Sequence, residues 1–390
     1  MSFEIRINGS PYTLWKSATV QRSIDSNAGA FRFSNSSSAP LSAYPIKAGD
    51  FVEILIDQAR VVAGFVDEIS GSQDDATHTV DVRGRDNTAD LIDSSVPDAA
   101  KVKEGPVSLK ALIETAISAL GAVISVTNNV AGLTDFTTDE LQAAASGDSC
   151  MEFLVSFARK RQVYLVTDGA GGLIIYRPDK SVKSASPLLH KENGINNNVT
   201  SYSFRQSQQE RFNQYKCRSQ DNVGFNALAE YFGGGTDRNG AAVDGQIRST
   251  RYLEFVAEQT MPDGDCGKRA AEESNIRRAH GIEYTVSVPG ATQSDGTLWD
   301  FGQFVQIDDD YAGIKGTYLI KAVEYAIDAS QGTRTQITCV PPDAYQVVAE
   351  PTAADKRTAK TGTEYQNATP KTQGTLRNSG SYLDNRLSPR

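Results

Sequence analysis

One stretch of this chain occurs twice, and no other feature restricts its fold as strongly. Gly49-x-Phe51-Val52-x-Ile54 is matched by Gly302-x-Phe304-Val305-x-Ile307. Downstream, Val66-Asp67-Glu68-Ile69 lines up with Ala322-Val323-Glu324-Tyr325, and Val80–Asp86 with Ile337–Asp343. Gly49 to Asp86 spans 37 positions and Gly302 to Asp343 spans 41, so the second copy has room for a longer loop at Asp308–Gly313. Alternating apolar residues alone would mark any two meanders. The order and near-equal spacing of three blocks mark an internal repeat. The eight marker residues, Gly49, Phe51, Val52, Ile54, Gly302, Phe304, Val305 and Ile307, therefore predict two similar antiparallel units in one chain.

The surrounding sequence fits that reading. Phe3–Ile7 alternates and is followed by the tight-turn pair Asn8-Gly9,. Phe31–Phe33, Phe51–Ile56, Val61–Ile69 and Thr77–Val82 also read as strands, with no helical period before residue 95. Near Pro97 the pattern changes. Leu109, Leu112, Ile113, Ala116, Ile117 and Leu120 share one helical face, with Ser108 as N-cap and Gly121 as C-terminal stop,. Ser149-x-x-Glu152 has the form of a capping box opening a second helix,. Val163–Val166 and Leu173–Tyr176 flank a glycine-rich turn and predict a hairpin,. Strands are expected again at 199–205 and 212–218. A helix is expected from about Gly264 to Ala279, with Asp265 as its N-cap, and further strands run from Glu283 to Val340. The expected fold class is mainly β with α+β insertions: two similar antiparallel β-barrels plus smaller α/β domains. The expected domains are 1–96 (first barrel), 97–185 (two helices and a hairpin), 186–225 with 282–345 (second barrel, split), 226–281 (inserted loop and helix), and 346–390 (extended C-terminal arm). The arm has few large apolar groups and seven Lys/Arg against four Asp/Glu, too little to bury a core.

Composition narrows the function. A net charge of −9 does not suit a protein that grips duplex nucleic acid,. The longest apolar runs are too short to span a bilayer, so no membrane segment is expected, and the first residues lack the pattern of a signal peptide,. Cys150, Cys217, Cys266 and Cys339 are scattered and form no C-x-x-C pair, which predicts buried, reduced thiols rather than a disulfide framework,.

The order of motifs from 264 to 345 resembles the baseplate hub family of contractile phage tails: the Mu-like tail protein P, its T-even and P2-like counterparts, and the base of type VI secretion spikes. The resemblance rests on the Ala/Arg-rich helix Lys268–Ala279, the strand ending Val286-Ser287-Val288-Pro289-Gly290, and Leu298-Trp299-x-x-Gly302-x-x-Val305-x-Ile307. Tyr318-Leu319-Ile320-x-x-Val323, Gly332-Thr333-x-Thr335 and Pro341-x-Asp343-Ala344-Tyr345 complete it. It implies a homotrimer around a channel that adapts a sixfold tail tube to a threefold spike. The implied partners are the tail tube protein, the central spike protein and neighbouring baseplate proteins, with DNA only in transit. The implied location is the virion, after assembly in the host cytoplasm. The alternative is a cell-wall hydrolase or glycan-binding tail module.

No catalytic, cofactor or metal site is expected. His78, His190 and His280 each stand alone, without the paired-histidine spacing of zinc enzymes. The runs Gly169–Gly172 and Gly233–Gly235 lack the Gly-Lys-Ser/Thr that completes a phosphate loop,. Asp237-x-Asn239-Gly240 with Asp244 has some of the residues of a calcium loop but no closing Glu, and Asp308–Asp310 reads best as a solvated turn,. No carboxylate pair stands out for glycoside hydrolysis, and there is no G-x-S-x-G elbow,.

Overall fold

A computed structural model describes residues 2–36, 44–73, 78–101, 104–138, 141, 144, 147–161, 163–218, 239–256, 263–330, 332–343 and 345. Among the described residues strand makes up 46% and helix 15%, so the fold is mainly β. The first unit contains β1 (Phe3–Ile7), β2 (Ser10–Tyr12), β3 (Ser17–Ser23), β4 (Ala30–Ser36), β5 (Phe51–Ile56), β6 (Ala59–Gln73) and β7 (His78–Asp86). Asn8 and Gly9 turn β1 into β2 with φ of 48° and 80°, a conformation that Asn-Gly adopts with little strain. The helical module follows: α1 (Ala89–Asp93), α2 (Leu109–Leu120), β8 (Ser125–Asn128), α3 (Cys150–Lys160), β9 (Tyr164–Thr167) and β10 (Gly172–Tyr176). The remainder is β11 (Leu188–His190), β12 (Ser201–Gln206), β13 (Gln214–Arg218), β14 (Asn239–Val243), β15 (Tyr252–Val256), α4 (Asp263–His280), β16 (Ile282–Pro289), β17 (Phe304–Asp309), β18 (Ile314–Asp328) and β19 (Gly332–Val340).

The main sheet has 13 strands. Its first half runs β2-β1-β5-β6-β7-β4-β3, and its second half runs β18-β19-β16-β12, with β17 and then β11 on the other edge of β18. The halves meet where β3 pairs with β18 over seven residues, Ser17↔Asp328 to Ser23↔Ala322. One hydrophobic cluster lies under both halves, with Ile5, Val20 and Phe33 from the first and Val305, Tyr325 and Ile337 from the second. Burying each such aliphatic or Phe side chain contributes roughly 1.5–3 kcal/mol.

The helical module has a separate core. Ser108 caps α2 by accepting from the Ala111 N–H, and Gly121 ends it in the left-handed conformation at φ 70°. The expected hairpin is present as β9 and β10, and β8 adds a parallel strand to it. Ser149 precedes α3 and its hydroxyl donates to the Ile92 carbonyl, tying α3 to α1. α1 itself breaks the expectation of an all-strand start, being too short to show a period.

Two expectations about the second half are corrected. Residues 186–225 do not all join the main sheet. β13 leaves it and pairs with β14 and β15 in a three-stranded sheet, burying Tyr215 and Cys217 against Cys266 and Ala270 of α4. The insertion expected as loop and helix at 226–281 therefore contains strands. α4 starts by Asp263, which puts Asp265 inside the helix rather than at its cap. Within this module Arg211, only 1% exposed, donates to Asp244 at 2.7 Å and to Gln246 at 2.9 Å. Asp244 is thus the partner of a buried guanidinium. Asp237, Gly233–Gly235 and the 346–390 arm lie outside the described residues.

Two outcomes follow from this packing. A Cβ on Gly84 would lie 2.1 Å from the Phe65 carbonyl oxygen and 2.4 Å from the Phe31 ring. Gly84→Val should therefore cost about 1–3 kcal/mol or more by overpacking, read as a fall in the urea midpoint. Asp244→Asn leaves the Arg211 charge buried without its counter-ion, a loss of about 3–5 kcal/mol. Limited proteolysis should then cleave first within 207–281.

Candidate interaction surface

The marker residues sit in matching backbone surroundings. β5, β6 and β7 have 6, 15 and 9 residues, and so do β17, β18 and β19. Gly49 N–H donates to the Val66 carbonyl at 2.8 Å, and Gly302 N–H donates to the Ile320 carbonyl at 2.8 Å. The return bonds also match, Val66 N–H to Asp50 and Ile320 N–H to Gln303. Both glycines are left-handed, at φ 90° and 84°, where a Cβ would be strained. Gly302 has a second constraint, because a Cβ there would meet the Tyr176 hydroxyl at 2.5 Å. Val52, Ile54, Val305 and Ile307 are fully buried in the shared core. Phe51 is half-buried against Phe65, whereas Phe304 is buried in a satellite cluster with Ile24, Leu319 and Val340.

These bonds correct the register of the later blocks by two residues. Val66 corresponds to Ile320, not Ala322, and Val82 corresponds to Ile337 through the pairs Ile69↔Val82 and Val323↔Ile337. The β6·β7 and β18·β19 ladders each shift register at the same place, between Val66 and Glu68 and between Ile320 and Ala322, and β6 has a further shift at Val61 against β5. A two-residue slip keeps every side chain on its own face, so alternation in sequence cannot detect it.

Following the ladders outward from these points pairs β5 with β17, β6 with β18, β7 with β19, β4 with β16, and β3 with β12; β11 takes the place of β1 but runs parallel to β17, where β1 runs antiparallel to β5. The joint between the units is built on β3. Arg22 is 6% exposed; it reaches Asp300 at 2.8 Å and donates to the Asp168 carbonyl at 2.8 Å. Burial works against its charge, but Asp300, Tyr325 and Asp168 outweigh that and hold the guanidinium above its ordinary pKa. One side chain thus links the first unit, the hairpin turn of the helical module and the second unit. Asp86 adds a second link, accepting from Gly29 N–H at 2.7 Å, Thr88 N–H at 3.0 Å and the Thr167 hydroxyl of β9. Tyr345 adds a third. Its hydroxyl donates to Asp25 at 2.6 Å, and its ring packs edge-on to Tyr164 and against His280. Asp86 and Tyr345 each end a block singled out in the sequence, Val80–Asp86 and Pro341-x-Asp343-Ala344-Tyr345, but no motif marked Arg22. The one available signal was the alternation of Ala18 and Val20 with Thr19 and Gln21, which identifies β3 as a half-buried strand.

The groups expected to lack chemistry have structural partners. Asp309, fully buried, accepts from the Tyr284 hydroxyl at 2.5 Å and lies 3.2 Å from His190 Nδ1. Asp308 and Asp310 are paired with Lys315, and Asp308 also with Lys191. All four cysteines are buried and outside any disulfide, and burial pushes the Cys150 thiol up to about 11. Among the described residues no group of three or more His, Cys, Asp or Glu could hold a metal ion, and no helix is long and apolar enough to cross a membrane.

Three family models match in chain order. Residues 2–86 match the N-terminal domain of Mu phage baseplate assembly protein GpP-like proteins. Residues 88–177 match the second domain of baseplate hub protein gp44-like proteins. Residues 277–340 match a tail protein C-terminal domain. Baseplate hub protein gp44 of Escherichia phage Mu is 26% identical over 371 residues, 92% of each chain. The fold is similar to that of the 43 kDa tail protein of prophage MuSo2 from Shewanella oneidensis, with a TM-score of 0.74, 24% identity, and 89% of this chain and 100% of that one covered. The tail protein from Neisseria meningitidis MC58 also gives a TM-score of 0.74, at 17% identity, with 88% of this chain and 97% of that one covered. Along 92% of its length, then, this chain is similar to the baseplate hub protein of phage Mu, and its domains match those of Mu-like baseplate hub proteins.

Proposed function

We propose that this phage tail protein is the structural hub of a contractile-tail baseplate and works as a homotrimeric ring. Each chain contributes two similar barrel units, which share one sheet and one core. Three chains then present six similar units, which lets one ring face a sixfold tail tube on one side and a threefold spike on the other. The observation that carries this reading is the bond-for-bond match at Gly49 and Gly302. A single-unit chain would offer a threefold ring only three equivalent docking surfaces.

In this reading the first unit spans 1–88 and the helix-and-hairpin domain 89–185, a boundary earlier than the expected residue 96 because α1 buries Leu91 in the helical core. The second unit takes 186–206 with 282–345, around an insertion at 207–281. The spike is held by the ring face away from the tube together with the 346–390 arm. DNA passes through the centre without being gripped, since a chain of net charge −9 repels phosphate,. The work is mechanical rather than catalytic. Its most buried carboxylates, Asp86, Asp244 and Asp309, are engaged in structural hydrogen bonds, and its Mu relative is named as a baseplate hub. Light scattering of the purified chain should give the mass of three copies, either alone or once the spike protein is added. A mass of one copy under both conditions would overturn the ring.

A further inference from the structure

The joint inside the chain uses two edges, the outer edge of β3 and the distal half of β18. Each has an equivalent in the other unit, and among the described residues both equivalents are unpaired. β12 corresponds to β3, because Phe204 lies opposite Tyr284 as Val20 lies opposite Phe31, and Tyr284 and Phe31 themselves lie opposite Cys339 and Gly84. The distal half of β6 corresponds to that of β18, because Gly71 lies opposite Val80 as Tyr325 lies opposite Thr335. Among the described residues no strand pairs with β12 on the side away from β16. None pairs with Glu68–Gln73 on the side away from β7.

Burial shows what each edge lacks. Ala18 and Val20 of β3 are 2% and 0% exposed, while their counterparts Tyr202 and Phe204 are 40% and 41% exposed. Tyr325 and Ile327 are buried beneath β3, while their counterparts Gly71 and Gln73 are exposed. Soluble proteins guard an open strand edge with charge, proline or a cover. Here β12 has one charge, Arg205, beside two exposed aromatic rings, and Glu68–Gln73 has one charge, Glu68. The signs are opposite and the shapes complementary, the large Phe204 side chain against glycine.

We propose that β12 of one chain pairs antiparallel with the distal half of β6 of a second copy, repeating between chains the β3·β18 joint that each chain makes within itself. The template sets the register: Phe204 opposite Gly71, Ser203 opposite Ser72, Tyr202 opposite Gln73. The contact is head-to-tail, so every copy gives one edge and receives one, and assembly ends only by closing a ring. This rests on the ring reading above and supplies its interface.

Oxidative cross-linking tests it. Opposed strand positions hold their Cβ atoms about 4.5–5.5 Å apart, so a chain carrying both Ser72→Cys and Ser203→Cys should oxidise to covalent multimers that end at a closed species. Each single variant should give no cross-link, and a mixture of the two should give only a dimer. In a second measurement Phe204→Glu, at an exposed position, should leave the melting temperature unchanged and reduce the assembly to one copy. If light scattering finds multimers but the paired cysteines stay reduced, the edge pairing is overturned while the ring survives. If the chain stays at one-copy mass even with the spike protein, both fall.

Discussion

The arrangement of the whole molecule depends on one seven-residue ladder. Where β3 crosses from the first unit to β18 of the second, backbone hydrogen bonds make the two halves one sheet over one core. A backbone ladder of this kind cannot slip by one residue without turning every apolar side chain outward, so it fixes the two units in angle as well as in contact. Arg22 adds charge to that constraint. Its guanidinium leaves water only because Asp300 and the Asp168 carbonyl replace the lost hydration,. It therefore acts as a three-way pin rather than as a surface ion pair.

The insertions respect that frame. The helical module has its own core and touches the first unit through the Asp86–Thr167 bond and the second through Tyr176 at Gly302. The smaller module interrupts the second unit between β12 and β16, two adjacent strands of one ladder. Its entrance and exit therefore lie close together, and it can be inserted without disturbing the sheet. Its stability is its own, centred on Arg211 and Asp244 and on the packing of Tyr215 and Cys217 under α4.

What could be read from sequence divides along physical lines. The glycines at 49 and 302 were legible because left-handed backbone needs glycine. The α2 boundaries were legible because a serine cap and a glycine stop are local chemistry. The relative register of the repeats was legible only to within two residues, because side-chain faces recur with that period. The joint was not legible. Nothing local in Ser17–Ser23 says that its partner lies about three hundred residues away, and Arg22 looks like any surface arginine until Asp168 and Asp300 are brought to it. β13 was legible as a strand but not as a strand of a different sheet, since strand pattern does not identify a partner. The residues of the candidate interaction surface were individually visible in the sequence. Their exposure became meaningful only against the buried positions that match them.

Tyr345 is the last described residue, and it sits where the first unit, the helical module and α4 converge. Its backbone is left-handed at φ 64°, which costs an ordinary residue about 1–2 kcal/mol and is held by the burial of its ring. The chain beyond it is covalently continuous with that point. Tension on those forty-five residues would therefore not peel a single edge strand. It would be shared at once among Asp25, Tyr164 and His280, so the convergence point is a mechanical anchor that spreads a pull on one thread over three separately packed bodies.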